Sequence, residues 1–98
     1  MSKLQNQEKD RLFQAILTLQ SVEECYRFFE DACTIKELQE IAQRFDVACQ
    51  LEAGGNYKDV IKETGASSAT ISRVNKCLNY GNDGYRIVID RLKEEGKL

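Results

Sequence analysis

Between residues 38 and 51 the side chains Leu38, Ile41, Ala42, Phe45, Ala48, Cys49 and Leu51 recur mainly at steps of three and four. That is the period of one face of an α-helix. The chain contains no proline, the residue that helix interiors tolerate least. No alternating apolar pattern elsewhere is long enough to compete as a strand. These two properties confine the chain to an all-α fold of about six helices.

The other helices are placed by the same signals. Leu12, Phe13, Ile16, Leu17 and Leu19 form an apolar stripe flanked by Glu8, Lys9, Asp10 and Arg11. Ser21 and Glu24 have the spacing of a capping box, in which serine and glutamate satisfy helix-start amides reciprocally. The helix they open carries Val22, Cys25, Tyr26, Phe28 and Phe29. Thr34 and Glu37 repeat the box at the start of the 38–51 stripe, and Gly54-Gly55 stops that helix. A short helix follows at 57–64, with Val60 and Ile61 inward. Gly65 breaks it, Ser67 or Ser68 caps the next start, and that helix runs to about Tyr80 with Ile71, Val74 and Leu78 on one side. Residues 81–84 form a turn before a last helix carrying Tyr85, Val88, Ile89 and Leu92 and ending at Gly96.

Composition narrows the function. A chain of 98 residues supports one domain, here 1–98. With 42% apolar and 31% charged residues it belongs with soluble folded domains and not with disordered tails. No apolar run approaches the roughly 18 residues of a membrane span, and residues 1–8 lack the apolar stretch of a secretory leader. A cytoplasmic location is the expectation, with no membrane partner. The absence of histidine removes the commonest general base and the commonest metal ligand, which argues against an enzyme. Cys25, Cys33, Cys49 and Cys77 are too widely spaced for a zinc site, so no metal is expected. All four read as buried or half-buried apolar residues. The aromatic residues Phe13, Tyr26, Phe28, Phe29 and Phe45 read as core or subunit interface. A small chain with such a first half wants a partner, most simply a second copy of itself.

Charge is unevenly spread. Residues 1–55 carry a net of −4, whereas residues 56–80 hold Lys58, Lys62, Arg73 and Lys76 against Asp59 and Glu63, a net of +2. That basic segment is either a merely solvated face or a contact surface for an acidic partner. Its detail favours contact. Val60, Ile61, Gly65, Ile71 and Val74 meet in order the demands of a helix-turn-helix. Between the apolar positions the second helix exposes Ser68, Ala69, Thr70, Ser72, Arg73, Asn75 and Lys76, and no acid occurs from Ser67 to Tyr80. Short side chains allow close approach to a major groove, hydroxyls bond base edges or phosphates, and arginine suits guanine or phosphate. An ordinary surface helix more often carries mixed charge pairs.

The string from Gly65 through Ala66, Ser67, Ser68, Ala69, Thr70, Ile71 and Ser72 to Arg73 resembles the turn and recognition helix of the Trp repressor family. The likeness covers residues 33–80, through Cys33, Thr34, Arg44 and Leu51, and the flanking helices agree in number and order. Asn56-Tyr57 and the stretch 78–85 are most similar to the YerC/YecD branch of that family. The resemblance implies an intertwined homodimer, with dimerisation helices at about 5–54, a helix-turn-helix at about 57–80 and a C-terminal helix at about 84–96. Its two heads would enter successive major grooves of a double-stranded DNA operator, about 34 Å apart. It implies DNA contacts from Ser68, Ala69 and Thr70 at the base-reading end, from Ser67, Ser72, Arg73 and Lys76 elsewhere on the helix and its cap, and from Lys58 and Lys62 toward the backbone. The expected activity is that of a transcriptional regulator, specifically a repressor.

The resemblance also implies a candidate effector pocket at Thr34, Arg44, Arg73, Val74 and Cys77. Thr34 and the two arginines match the family's tryptophan-binding positions. Val74 and Cys77 depart from it, standing where the family has a glycine and a serine. A valine should intrude on an indole site, and a thiol replaces poorly a hydroxyl that faces an ammonium group. No cofactor is therefore expected, and pairing with carboxylates or phosphates is the simpler role for Arg44 and Arg73. The acidic first half leaves one rival function, a helical protein-interaction module that no longer binds DNA.

Overall fold

In the computed structural model the described residues are 5–98. Residues 1–4, the start of the segment read as lacking a leader, lie outside them. The described residues form six α-helices and no strand: α1 (Gln7–Ile16), α2 (Val22–Ala32), α3 (Ile35–Glu52), α4 (Tyr57–Thr64), α5 (Ser68–Tyr80) and α6 (Gly84–Glu94). The all-α expectation holds, with six helices in the expected order, the first of them ending short of its apolar stripe. Two compact units are present, one reaching to Ile35 and the other spanning Lys36–Leu98.

The first unit contains α1 and α2. Asn6 caps α1, its side-chain oxygen accepting from the Lys9 amide at 2.9 Å. The helix ends earlier than its apolar stripe, because the Thr18 hydroxyl takes the Ala15 carbonyl at 2.6 Å and turns the chain. Ser21 caps α2 by accepting from the Glu24 amide at 3.1 Å. The return half of the expected box is displaced by one residue. Glu24 Oε1 accepts from the amide of Gln20, at 2.8 Å, and so fixes the chain just ahead of the cap. Neither α1 nor α2 buries a single residue.

The second unit holds the core. Val47 and Ala48 of α3, Val60 of α4, Ala66 of the following turn, Ile71, Val74 and Leu78 of α5, and Ile89 of α6 form one buried cluster. Phe45, Cys49, Leu51 and Tyr85 pack against it, half-buried. The Phe45 and Tyr85 rings lie 6.4 Å apart, tilted by 32°. Each fully buried Val or Ile side chain contributes about 1.5–3 kcal/mol relative to exposure.

The inward assignment of Ile61 is corrected, and Val88 of the α6 stripe also faces outward. Ile61 is 40% exposed and Val88 is 46% exposed. Neighbours on a helix point about 100° apart, so on the short α4 and on α6 one member of the adjacent pair faces the core and the other turns away from it. Val60 and Ile89 take those places.

Candidate nucleic-acid interface

The α4–α5 pair is built around its turn. Asn56 caps α4, accepting from the Asp59 amide at 3.0 Å. Gly65 ends it in the left-handed region at φ +72°, its amide reaching the Ile61 carbonyl at 2.9 Å. An L side chain at such a φ costs about 1–2 kcal/mol, which is why glycine serves here. Thr64 ties the turn internally: its hydroxyl donates to the Val60 carbonyl at 2.6 Å and accepts from the Ala66 amide at 3.1 Å. From α3, Gln43 Nε2 donates to the Thr64 carbonyl at 3.3 Å.

Ser67 is the N-cap of α5, its oxygen accepting from the Thr70 amide at 3.1 Å while its hydroxyl lies 3.0 Å from Thr70 Oγ1. With Ile71, Val74 and Leu78 buried, the other side of α5 presents Ser68, Ala69, Ser72, Arg73 and Lys76, all exposed, with Ser67 at its head. Thr70 and Asn75, expected on that side, are half-buried at its edges. No acidic residue stands in the first turn, so the positive end of the helix dipole is not neutralised from within. A helix start in that condition suits an anion. Lys58 and Lys62 are exposed on α4, alongside the exposed Asp59 and Glu63.

Four of the candidate effector residues, Arg44, Arg73, Val74 and Cys77, belong to the second unit. Arg44 and Arg73 come together, lining a recess of about 270 Å³ with Glu40, Gln43 and Thr70. Among the described residues neither arginine forms an ion pair, so the carboxylate partners expected for them are not found within this chain. Val74 is 1% exposed and belongs to the core, not to the recess wall. Cys77 is exposed in a second cleft, of about 470 Å³, with Phe45, Gly81, Asn82, Gly84, Tyr85 and Val88. Thr34 belongs to the first unit. Among the described residues the side chains that line the recess are all of polar or charged type.

The other cysteines, Cys25, Cys33 and Cys49, are half-buried as expected, whereas Cys77 is not. It sits one turn beyond Arg73 and Val74 on the rim of the core, where the 81–84 turn leaves the cleft open. Burial, and then the negative charge of Asp46, push the Cys49 thiol above its ordinary value. The described residues hold no metal-ligand cluster and no helix long and apolar enough to cross a membrane.

Two site-supporting residues escaped the sequence. Arg86 of α6 donates from Nε to the Leu78 carbonyl at 3.0 Å and pairs through Nη1 with Glu52 at 3.2 Å. Gln43, already described, holds the turn. Their partners lie far along the chain, and helical spacing carries no record of such contacts.

Six helices in this order, with α5 offering an acid-free polar face behind a glycine turn, define a small all-helical protein of the Trp repressor-like class. The chain belongs to the Trp repressor protein family, whose model matches residues 7–93. It is 56% identical over 94 residues to the protein YerC of Bacillus subtilis (strain 168), a match covering 96% of this chain and 90% of that protein. Among solved structures it resembles a TrpR-like protein from Eubacterium eligens ATCC 27750, with 55% identity and a TM-score of 0.89 over 93% of this chain and 94% of that one. A candidate Trp repressor from Staphylococcus aureus gives 48% identity and a TM-score of 0.89, covering 93% and 91% of the two chains.

Proposed function

We propose that the chain is a cytoplasmic, homodimeric, sequence-specific transcriptional repressor that reads the major groove with α5. The observation that carries this reading is the division of α5 into a fully buried apolar side and an exposed side of hydroxyls, a methyl group and two cations with no acid. Ser68, Ala69 and Thr70, at the leading end, read bases, the Ala69 methyl and Thr70 being suited to thymine. Ser67, Ser72 and Lys76 contact phosphate or sugar, Arg73 contacts guanine or phosphate, and Lys58 and Lys62 face the backbone.

The first unit supports a dimer. Leu12, Phe13, Leu17, Val22 and Tyr26 are exposed, and α1 and α2 hold no fully buried residue. Two short helices without a core do not hold their fold in water, so their apolar surface requires a partner. A second copy of the chain supplies it, and two heads related by a two-fold axis match a palindromic operator. Val74 stands in the core and the arginine recess is lined mainly by polar side chains, which favours DNA binding that does not depend on tryptophan.

Titrating a fluorescent duplex with the full chain at several salt concentrations tests the reading. The expected affinity falls as salt rises, with a log–log slope of about −0.9 for each phosphate neutralised. A chain that binds no duplex even at low salt overturns it in favour of a protein-interaction role.

A further inference from the structure

The trailing end of α5 is held in a way that its own sequence does not provide. The helix has no basic residue in its last turn, although cations there favourably meet the exposed carbonyls and the negative end of the dipole. Its final backbone bond runs from the Gly81 amide to the Cys77 carbonyl, which leaves the Leu78 carbonyl without a helical donor. Arg86, from α6, fills that place with Nε at 3.0 Å. The same guanidinium reaches through Nη1 to the Glu52 carboxylate at the last residue of α3, at 3.2 Å. The Glu52 side chain is 21% exposed and that of Arg86 41%, so the pair is partly shielded on the carboxylate side and open to solvent on the other. One planar fork thus binds three helices where they converge, and a lysine, with a tetrahedral ammonium on a flexible stem, lacks the fixed pair of donor directions that meets both acceptors at once.

α3 therefore secures α5 at both ends: through Gln43 and the Thr64 carbonyl ahead of the helix, and through Glu52 and Arg86 behind it. A helix of 13 residues is about 20 Å long. A tilt of a few degrees about one end moves the other by on the order of 1 Å, more than a hydrogen bond tolerates. We propose that Arg86, anchored by Glu52, is a positioning residue for DNA recognition. It fixes the tilt of α5 from the end remote from the bases and touches no DNA itself. The inference rests on the DNA-binding function proposed above.

The test compares the full-length wild type with Arg86→Lys, Glu52→Gln and the double variant, well below the melting temperature of each. Two quantities are read: duplex affinity, and amide hydrogen exchange across α5 without DNA. Arg86→Lys keeps the positive charge, so a long-range electrostatic role predicts no loss. The positioning role predicts affinity weakened about fivefold, the equivalent of about one hydrogen bond. Glu52→Gln removes a negative charge and would strengthen binding if only the overall field mattered. Positioning predicts that it weakens binding, and that the double variant is no weaker than Arg86→Lys alone. Exchange should accelerate in α5 and the 81–84 turn in both single variants. Affinity unchanged in Arg86→Lys, or unchanged or improved in Glu52→Gln, overturns the proposal. Should the wild type bind no duplex, the DNA reading itself fails. Exchange then decides the anchor alone: unaltered rates in α5 overturn it, and accelerated rates sustain it.

Discussion

Gln43 Nε2 on α3 donates to the backbone carbonyl of Thr64 at 3.3 Å, and so ties the longest helix to the residue that closes α4. Thr64 in turn holds Val60 and Ala66 through its hydroxyl. The direction in which α5 leaves the turn is therefore set by a side chain outside the α4–α5 pair. Gln43→Ala should cost about 0.5–1.5 kcal/mol, the usual net worth of one such bond. Denaturant unfolding measures it, and faster amide exchange at Ala66 should accompany the loss.

Gly65 sits at φ +72° with open space where a Cβ would stand. Gly65→Ala should therefore destabilise through backbone strain alone, by about 1–2 kcal/mol. Gly65→Asn should cost less, because asparagine enters the left-handed region more readily. Equal stabilities for the three chains in urea would refute the assignment of strain.

Val74 is fully packed in the core, although the family's ligand-binding pattern has glycine at this position. Val74→Ala should cost about 2 kcal/mol in lost burial and cavity formation. Val74→Gly should cost about 1 kcal/mol more, from helix propensity. Thermal or chemical unfolding reads both, and a neutral Val74→Gly would mean that the side chain does not fill the core.

The cysteines should separate by reactivity. Cys77, exposed in its cleft, should react with iodoacetamide well before Cys49 at neutral pH. Burial and Asp46 hold Cys49 in the thiol form, so its labelling should rise only at more alkaline pH than an ordinary thiol. The linkage has a sign. A thiol whose value is raised by folding contributes stability below its unfolded value, and that contribution is lost as pH rises through the folded one. Mass spectrometry of labelled peptides over a pH series checks the order.

On DNA, Arg73→Ala and Thr70→Ala should each weaken operator binding by about 1–3 kcal/mol while the dimer stays folded. Lys58→Ala and Lys62→Ala should instead weaken binding to all duplexes alike, each lowering the salt slope by about one. Anisotropy titrations at graded salt separate the two classes.

The parts of this molecule that were legible in advance are those written in local spacing. The 38–51 stripe, the Gly65 break and the Ser67 cap placed α3, α4 and α5 almost to the residue, because caps and helical period are short-range signals. What the spacing could not decide is which of two adjacent apolar residues wins the core, as at Val60 and Ile61, since both continue the same stripe. Nor could it show contacts between distant residues such as Gln43 and Thr64, or the Glu52–Arg86–Leu78 junction. Cys77 was misjudged for a related reason: its place on the α5 stripe points inward, but the 81–84 turn does not cover it. Arg44 and Arg73 line one recess, whereas Val74 and Cys77, close to Arg73 in sequence, face a core and another cleft.

The central claim is that two copies of this chain present two α5 helices to one DNA duplex. Selection of bound sequences from a random duplex library with the purified full-length protein, in the absence of tryptophan, tests it most directly. The account predicts enrichment of a two-fold symmetric site whose half-sites lie about 10 base pairs apart, and loss of that enrichment in Arg73→Ala. A library that emerges unenriched, or a single enriched half-site without a symmetric mate, would contradict it.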